Sequence, residues 1–307
     1  MAETSIAAQV EPTVQAGRFA GLRALRVHQW VKNTLLLVPV VLDHRLFDEA
    51  VLARAFAAFI AFCLAASGAY IVNDLLDREA DRAHRTKRHR PFASGALRPS
   101  FGRLLVPLLF ADALLIAVLL RSEQFLGILV LYVVATTAYS AYLKRIAVLD
   151  VIMLAGLYTL RVLAGIAATG VTFSSWLLAF STFLFLSLAF LKRYAELTGF
   201  VGGEADMLHR RGYQRRDREW LGAMGGASGY LAVLVLALYI NSDQVMVLYE
   251  RPLLLWLICP LLLFWISRMW LLAYRGEVDE DPIVVTVRDP ASYVVGALVA
   301  VVLLMAV

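Results

Sequence analysis

Residues 69–95 read AYIVNDLLDREADRAHRTKRHRPFASG. The stretch starts as the end of an apolar run. Within a few residues it turns into three aspartates and six Lys or Arg side chains. An apolar run of bilayer-crossing length that gives way at once to charge marks the edge of a membrane span. The rest of the chain has the same grain. Of 307 residues, 61% are hydrophobic, and the mean hydropathy is +0.72, far above a soluble domain. The apolar residues fall in runs of about 17–25, the length of a transmembrane helix. This is the pattern of an all-α, polytopic membrane protein. We read nine spans, at roughly 22–42, 50–72, 100–120, 124–143, 146–168, 174–192, 221–240, 252–273 and 288–306. The first is least hydrophobic at its start, where Arg23, Arg26, His28 and Lys32 lie, and reads as beginning in an interfacial helix. Pro39 and Pro260 fall inside spans.

Residues 1–17 have neither a basic start nor an apolar core, so they read as a loose cytoplasmic tail and not a signal peptide. Cys63 and Cys259 lie within apolar runs and read as small buried hydrophobes. Lys and Arg sort by side. They crowd the N-terminal segment and the loops after spans two, four, six and eight, which puts those loops in the cytoplasm of a multi-pass inner-membrane protein. The net charge of +5 follows from that asymmetry, and no nucleic-acid partner is expected. Four spans separate the charged loops 73–99 and 193–220, so both face the same side and can share one cavity.

The spacing N-D-x-x-D-x-x-x-D covers Asn73, Asp74, Asp77 and Asp81. On a continuous helix the three aspartates fall within about 60° of one another. Three carboxylates on one stripe repel each other, and a divalent cation relieves that repulsion. Mg²⁺ favours one or two carboxylates together with phosphate oxygens, so the spacing points to a Mg²⁺–diphosphate site. Ordinary i,i+4 pairs, Asp74–Arg78 and Asp81–Arg85, are the plainer account of the same spacing. The basic block that follows, His84 to Arg90, suits the phosphates that share such a metal.

The motif NDLLDREADRAHRTKRHRPFASG resembles the first aspartate-rich motif of the UbiA-type intramembrane prenyltransferase superfamily. That resemblance implies nine helices around a central cavity, a polar site at its cytoplasmic end, and one catalytic domain over residues 18–307. It also implies that Asn73, Asp77 and Asp81 hold Mg²⁺-diphosphate, with Asp74 as an added acid. Prenyl-transferring members carry a second D-x-x-x-D motif after the sixth span. Here the sequence is FLKRYAELTG, with Lys192, Arg193 and Glu196. This departure, with RVHQWVKN (26–33), YSAYLKR (139–145) and LDVIMLAGLYTLRVLAG (149–165), is similar to the polyprenyl-phosphate phosphoribosyltransferase branch. The implied reaction moves 5-phosphoribose from phosphoribosyl diphosphate to a polyprenyl, decaprenyl-type, phosphate. Prenylation of an aromatic acceptor on the same scaffold is the alternative.

The residue types suit that chemistry independently. The donor has two phosphate-bearing ends and the acceptor a third, and replacing an aspartate pair by Lys-Arg-x-x-Glu adds positive charge. Candidate phosphate contacts are Lys32, Arg85, Lys87, Arg90, Tyr139, Lys144, Lys192 and Arg193. Lys32 beside Trp30 reads equally as a snorkelling lysine. Glu196 is expected at the metal or the ribose. Asp150 and Arg161, both inside span five, lie about 16 Å apart along a helix. Each therefore needs a partner elsewhere. Arg268 reads as a similar charge in span eight. Chain length of the lipid and oligomeric state are left open.

Overall fold

A computed structural model describes residues 19–83, 87–198, 212–278, 282–286 and 288–307. Among these the chain is helical, without a strand. The long helices are α1 (Glu49–Leu76), α2 (Pro99–Leu119), α3 (Glu123–Ala141), α4 (Leu149–Thr169), α5 (Ser175–Thr198), α6 (Arg218–Ile240), α7 (Ile258–Tyr274) and α8 (Pro290–Ala306). Counting the short 3₁₀ turns that lead into α6 and α7, seven of them are long and apolar enough to cross a membrane, and α8 is a shorter apolar helix.

The first expected span differs. It is not one helix but Ala20–Leu25, a 3₁₀ stretch Val27–Leu37 and a short helix Val38–Leu42. The break falls at Arg26, which takes a left-handed backbone (φ 51°). Its side chain is pulled toward Asp74, as described below. Pro39 and Pro260 both sit in the first turn of a helix, where a missing N–H breaks no hydrogen bond. The sixth span also runs further than expected, to Thr198, so Arg193 and Glu196 are helical and not loop residues.

Local chemistry sets the ends. Asp48 accepts hydrogen bonds from the Ala50 and Val51 amides at the start of α1, and Ser122 accepts from Phe125 at the start of α3, both N-caps. Gly170 closes α4 in the left-handed conformation. α1 buries Ala55, Ala58, Ala61, Ala65 and Ala66, small residues that let helices approach closely in lipid.

α4 is the central element, packing on α1, α3, α5 and the 3₁₀ stretch. One core joins α1–α4, a second joins α4 to α5–α7, and a third joins α6–α8. Gly165 of α4 is where the 3₁₀ stretch comes in. A Cβ there would lie 2.0 Å from the Leu36 carbonyl oxygen, which is backbone and cannot swing away. Gly165→Ala is therefore expected to destabilise the protein by at least about 1–3 kcal/mol. Gly156→Ala on the same helix, with open space around it, should be neutral. Thermal unfolding in detergent would show the contrast.

Candidate active site

The aspartate motif sits where α1 ends. The helix stops at Leu76, and Asp77 (φ −93°, ψ 5°) is its C-cap. The Asp77 amide still donates to Asn73 O and the Asp81 amide to Asp77 O, at 2.9 and 2.8 Å. A short helix, Arg78–Ala83, continues the path. The motif is thus bent, not one straight stripe. Asn73, Asp77 and Asp81 line a cavity of about 600 Å³, whereas Asp74 is 2% exposed and off that lining.

Asp74 instead gathers arginines. Its Oδ1 accepts from Arg26 at 2.5 Å and from Arg90 at 3.2 Å. Its Oδ2 is buried with no hydrogen-bond partner among the described residues. Arg90 also donates to Asp81 at 2.7 Å. The i,i+4 pair Asp74–Arg78 is not what forms, since Arg78 and Arg82 donate to the Phe92 and Ala93 carbonyls. Across the cavity Lys144 donates to Asn73 Oδ1 at 3.1 Å and to both oxygens of Asp77 at 2.8 and 2.6 Å. Lys87 lines the same space, and Arg85 lies outside the described residues.

The opposite wall is built on Arg193 of α5, 2% exposed in the interior. It donates to both carboxylate oxygens of Asp150, at 2.5 and 2.9 Å. It also donates to Tyr139 Oη at 2.9 Å and to Glu196 at 2.5 Å. Tyr139 donates to Asp150 at 2.8 Å, closing the network. Glu196 accepts from Arg193 and is not among the residues that line the cavity. Lys192, Arg193, Tyr139 and Lys144 all line the cavity, so the motif after the second span and the cations after the sixth do meet.

Deeper in the cavity Arg161 lies between the rings of Tyr132 and Tyr158, 4.9 and 5.5 Å from their centroids. It donates to Asn33 at 2.9 Å, to Tyr132 Oη at 2.9 Å and to Leu157 O at 2.5 Å. Lys32 approaches the Tyr158 ring at 6.0 Å and is buried, so it is a cavity residue and not a snorkelling one. Asp150 and Arg161 have separate partners, as their spacing required. Arg268 pairs with Asp289 at 2.8 Å, and Cys63 and Cys259 are free and buried.

The profile described as "UbiA prenyltransferase family" matches residues 40–286. The chain belongs to the UbiA prenyltransferase family. It is 36% identical over 274 residues to nodulation protein NoeC of Azorhizobium caulinodans, covering 88% of each chain. It is 40% identical over 284 residues to the uncharacterized protein y4nM of Sinorhizobium fredii, covering 91% of this chain but spanning only about half, 54%, of that relative. Decaprenyl-phosphate phosphoribosyltransferase of Mycolicibacterium smegmatis is 37% identical over 204 residues, 64% of each chain. The similarity to the phosphoribosyltransferase branch is thus borne out at the level of sequence. A UbiA homologue from Archaeoglobus fulgidus, solved bound to GPP and Mg²⁺, superposes with a TM-score of 0.70 over 94% of this chain and 99% of its own, at 18% identity. That likeness establishes the UbiA fold here.

Two features of this UbiA-family site escaped sequence reading. Arg26 had no visible partner until the fold brought it to Asp74. Asp150 was flagged as an intramembrane charge, yet nothing in the sequence paired it with Arg193, 43 residues away.

Proposed function

We propose that this UbiA-family protein transfers 5-phosphoribose from phosphoribosyl diphosphate to a polyprenyl, decaprenyl-type, phosphate and releases diphosphate. The observation that carries this is the charge balance of the cavity. Among the described residues nine Lys and Arg side chains line it, against two acids, Asp77 and Asp81. A prenyl diphosphate brings one anionic group and a hydrocarbon tail, which this lining suits poorly. Phosphoribosyl diphosphate brings two anionic ends and the acceptor a third. Arg161 and Lys32, set deep beside Tyr158, suit an anionic group beyond the diphosphate. The similarity to the decaprenyl-phosphate phosphoribosyltransferases supports the same donor.

Mg²⁺ fits the first wall. Asn73, Asp77 and Asp81 present hard oxygen donors to the cavity, the kind Mg²⁺ shares with phosphates. Bound there, Mg²⁺ would neutralise charge on the departing diphosphate. Asp74 organises Arg26 and Arg90 and is not a ligand in this reading. Lys144 and Arg90, already beside the aspartates, meet the diphosphate oxygens through charge-assisted bonds. Arg193, its charge met by Asp150 and Glu196, holds the Tyr139 hydroxyl at the cavity wall, while Lys192 contacts donor phosphate. The C1–O bond to diphosphate breaks, with the electron pair leaving on oxygen. An oxygen of the lipid phosphate forms the new bond to C1. That oxygen is already ionised, so no protein base is needed. The Lys- and Arg-rich helix ends around this site support, by the positive-inside rule, a site that opens to the cytoplasm from the inner membrane.

Purified protein given labelled phosphoribosyl diphosphate, a polyprenyl phosphate and Mg²⁺ should move label into lipid. Lys192→Met should raise KM for the donor about ten- to a hundred-fold and leave KM for the lipid nearly unchanged. Prenylation of an aromatic acid, with the labelled donor untouched, would sink the assignment.

A further inference from the structure

Lys144 and Asp150 serve opposite walls of the site, yet only five residues separate them. The connection is not relaxed. Residues Leu143–Arg145 form a 3₁₀ turn and Ile146 is extended. Val148 then takes φ 68° and ψ −50°, while Leu149 N donates to Ala147 O at 2.8 Å. This is a γ-turn of the strained hand, at a β-branched residue that disfavours positive φ. Strain of this kind persists only where its surroundings hold it.

The holder comes from the segment just before α6. Tyr213 is 2% exposed and packs in the core shared by α4, α5 and α7. Its hydroxyl accepts a hydrogen bond from the Val148 amide at 2.9 Å. Gly212 (φ 72°) lies flush against the same turn, where a Cβ would sit 2.9 Å from Arg145 O and 3.1 Å from Ala147 N. Two residues of one segment thus grip the backbone between Lys144 and Asp150. On one side of the turn Lys144 holds Asn73 and Asp77, and on the other Asp150 holds Arg193 and Tyr139.

We propose that Tyr213 is a positioning residue, which together with Gly212 clamps the Val148 turn and so fixes the spacing between the two walls of the site. Without the clamp, Val148 relaxes toward negative φ, and the start of α4 shifts with it. The inference rests on the proposed function only in taking the site to bind diphosphate.

The test uses the full chain in detergent and removes one hydroxyl, Tyr213→Phe, which keeps the packed ring. Two readouts are taken: binding of inorganic diphosphate with Mg²⁺ by calorimetry, and amide hydrogen exchange at residues 148–152. Tyr213→Phe should weaken diphosphate binding roughly three- to tenfold, the worth of one hydrogen bond, and speed exchange across the turn. Val148→Gly, added to Tyr213→Phe, should recover part of the diphosphate binding, because glycine reaches positive φ without the strain of a β-branched residue and the Val148 side chain is 39% exposed. Exchange at the residue 148 amide stays fast, since its acceptor is gone. Val148→Ala should not recover binding. A purely structural loss would not be rescued in this selective way. Unchanged exchange in Tyr213→Phe overturns the proposal, as does equal rescue by alanine or no rescue by glycine. A wild type that binds diphosphate but transfers no phosphoribose removes the transferase reading and leaves this one to be decided by the same two readouts.

Discussion

Asp77→Asn and Asp81→Asn proteins are expected to purify as folded, detergent-stable chains that have lost turnover by roughly two to three orders of magnitude. Both carboxylates face the cavity, and Asp77 keeps 30% of its side-chain exposure. A partly solvated pair such as Lys144–Asp77 contributes little to stability, and Lys144 retains its bond to Asn73 when the charge on Asp77 is gone. Asp81 is buried, but an asparagine there keeps an oxygen that accepts from Arg90. Thermal unfolding should therefore move little while initial rates collapse. Higher Mg²⁺ should recover part of the lost rate if the fault is metal affinity. Near-wild-type rates at limiting Mg²⁺ in both variants would remove the metal–diphosphate wall from the mechanism.

The Asp150–Arg193 pair should behave in the opposite way. Asp150 is 0% and Arg193 2% exposed, so neither charge can turn to water. Asp150→Ala leaves the guanidinium buried with Glu196 and Tyr139 as its remaining partners in this network. Breaking a buried pair from one side costs about 3–5 kcal/mol, enough to show as a large fall in unfolding temperature. Replacing both residues by leucine removes the stranded charge and is expected to regain most of the stability, since apolar pairs replace buried ion pairs at little cost. It should not regain activity, because Arg193 lines the cavity and orients Tyr139. Equal stability of Asp150→Ala and wild type would show that the pair is not what holds α4 to α5.

Much of the fold was legible because each later span is a run of apolar residues bounded by charge, proline or a capping residue. The expected span 100–120 is helix Pro99–Leu119, and 221–240 is Arg218–Ile240. Hydropathy showed the first span only as an apolar run with an interfacial start. It cannot register that Arg26 must reach Asp74, which breaks the helix. The aspartate motif was legible because side chains four apart in a helix share a face. The role of Asp74 was not, because a shared stripe assumes one continuous helix. The break at Asp77 leaves Asp77 and Asp81 on the cavity while Asp74 meets Arg26 and Arg90 behind it.

The sequence by itself determined that this chain is a multi-helix membrane protein, since backbone in lipid must satisfy its own hydrogen bonds and long apolar runs leave no other form. It also determined the family and the wall formed by Asn73, Asp77 and Asp81, because both rest on residues close together in the chain. The tertiary structure decided what each buried charge is for. Arg193 is bound to Asp150, Lys144 to Asp77, Arg26 to Asp74 and Arg161 to Asn33, at separations of 43 to 128 residues. A charge inside a membrane must find a partner, but which one it finds is set by how the helices pack, and that packing is a property of the whole bundle.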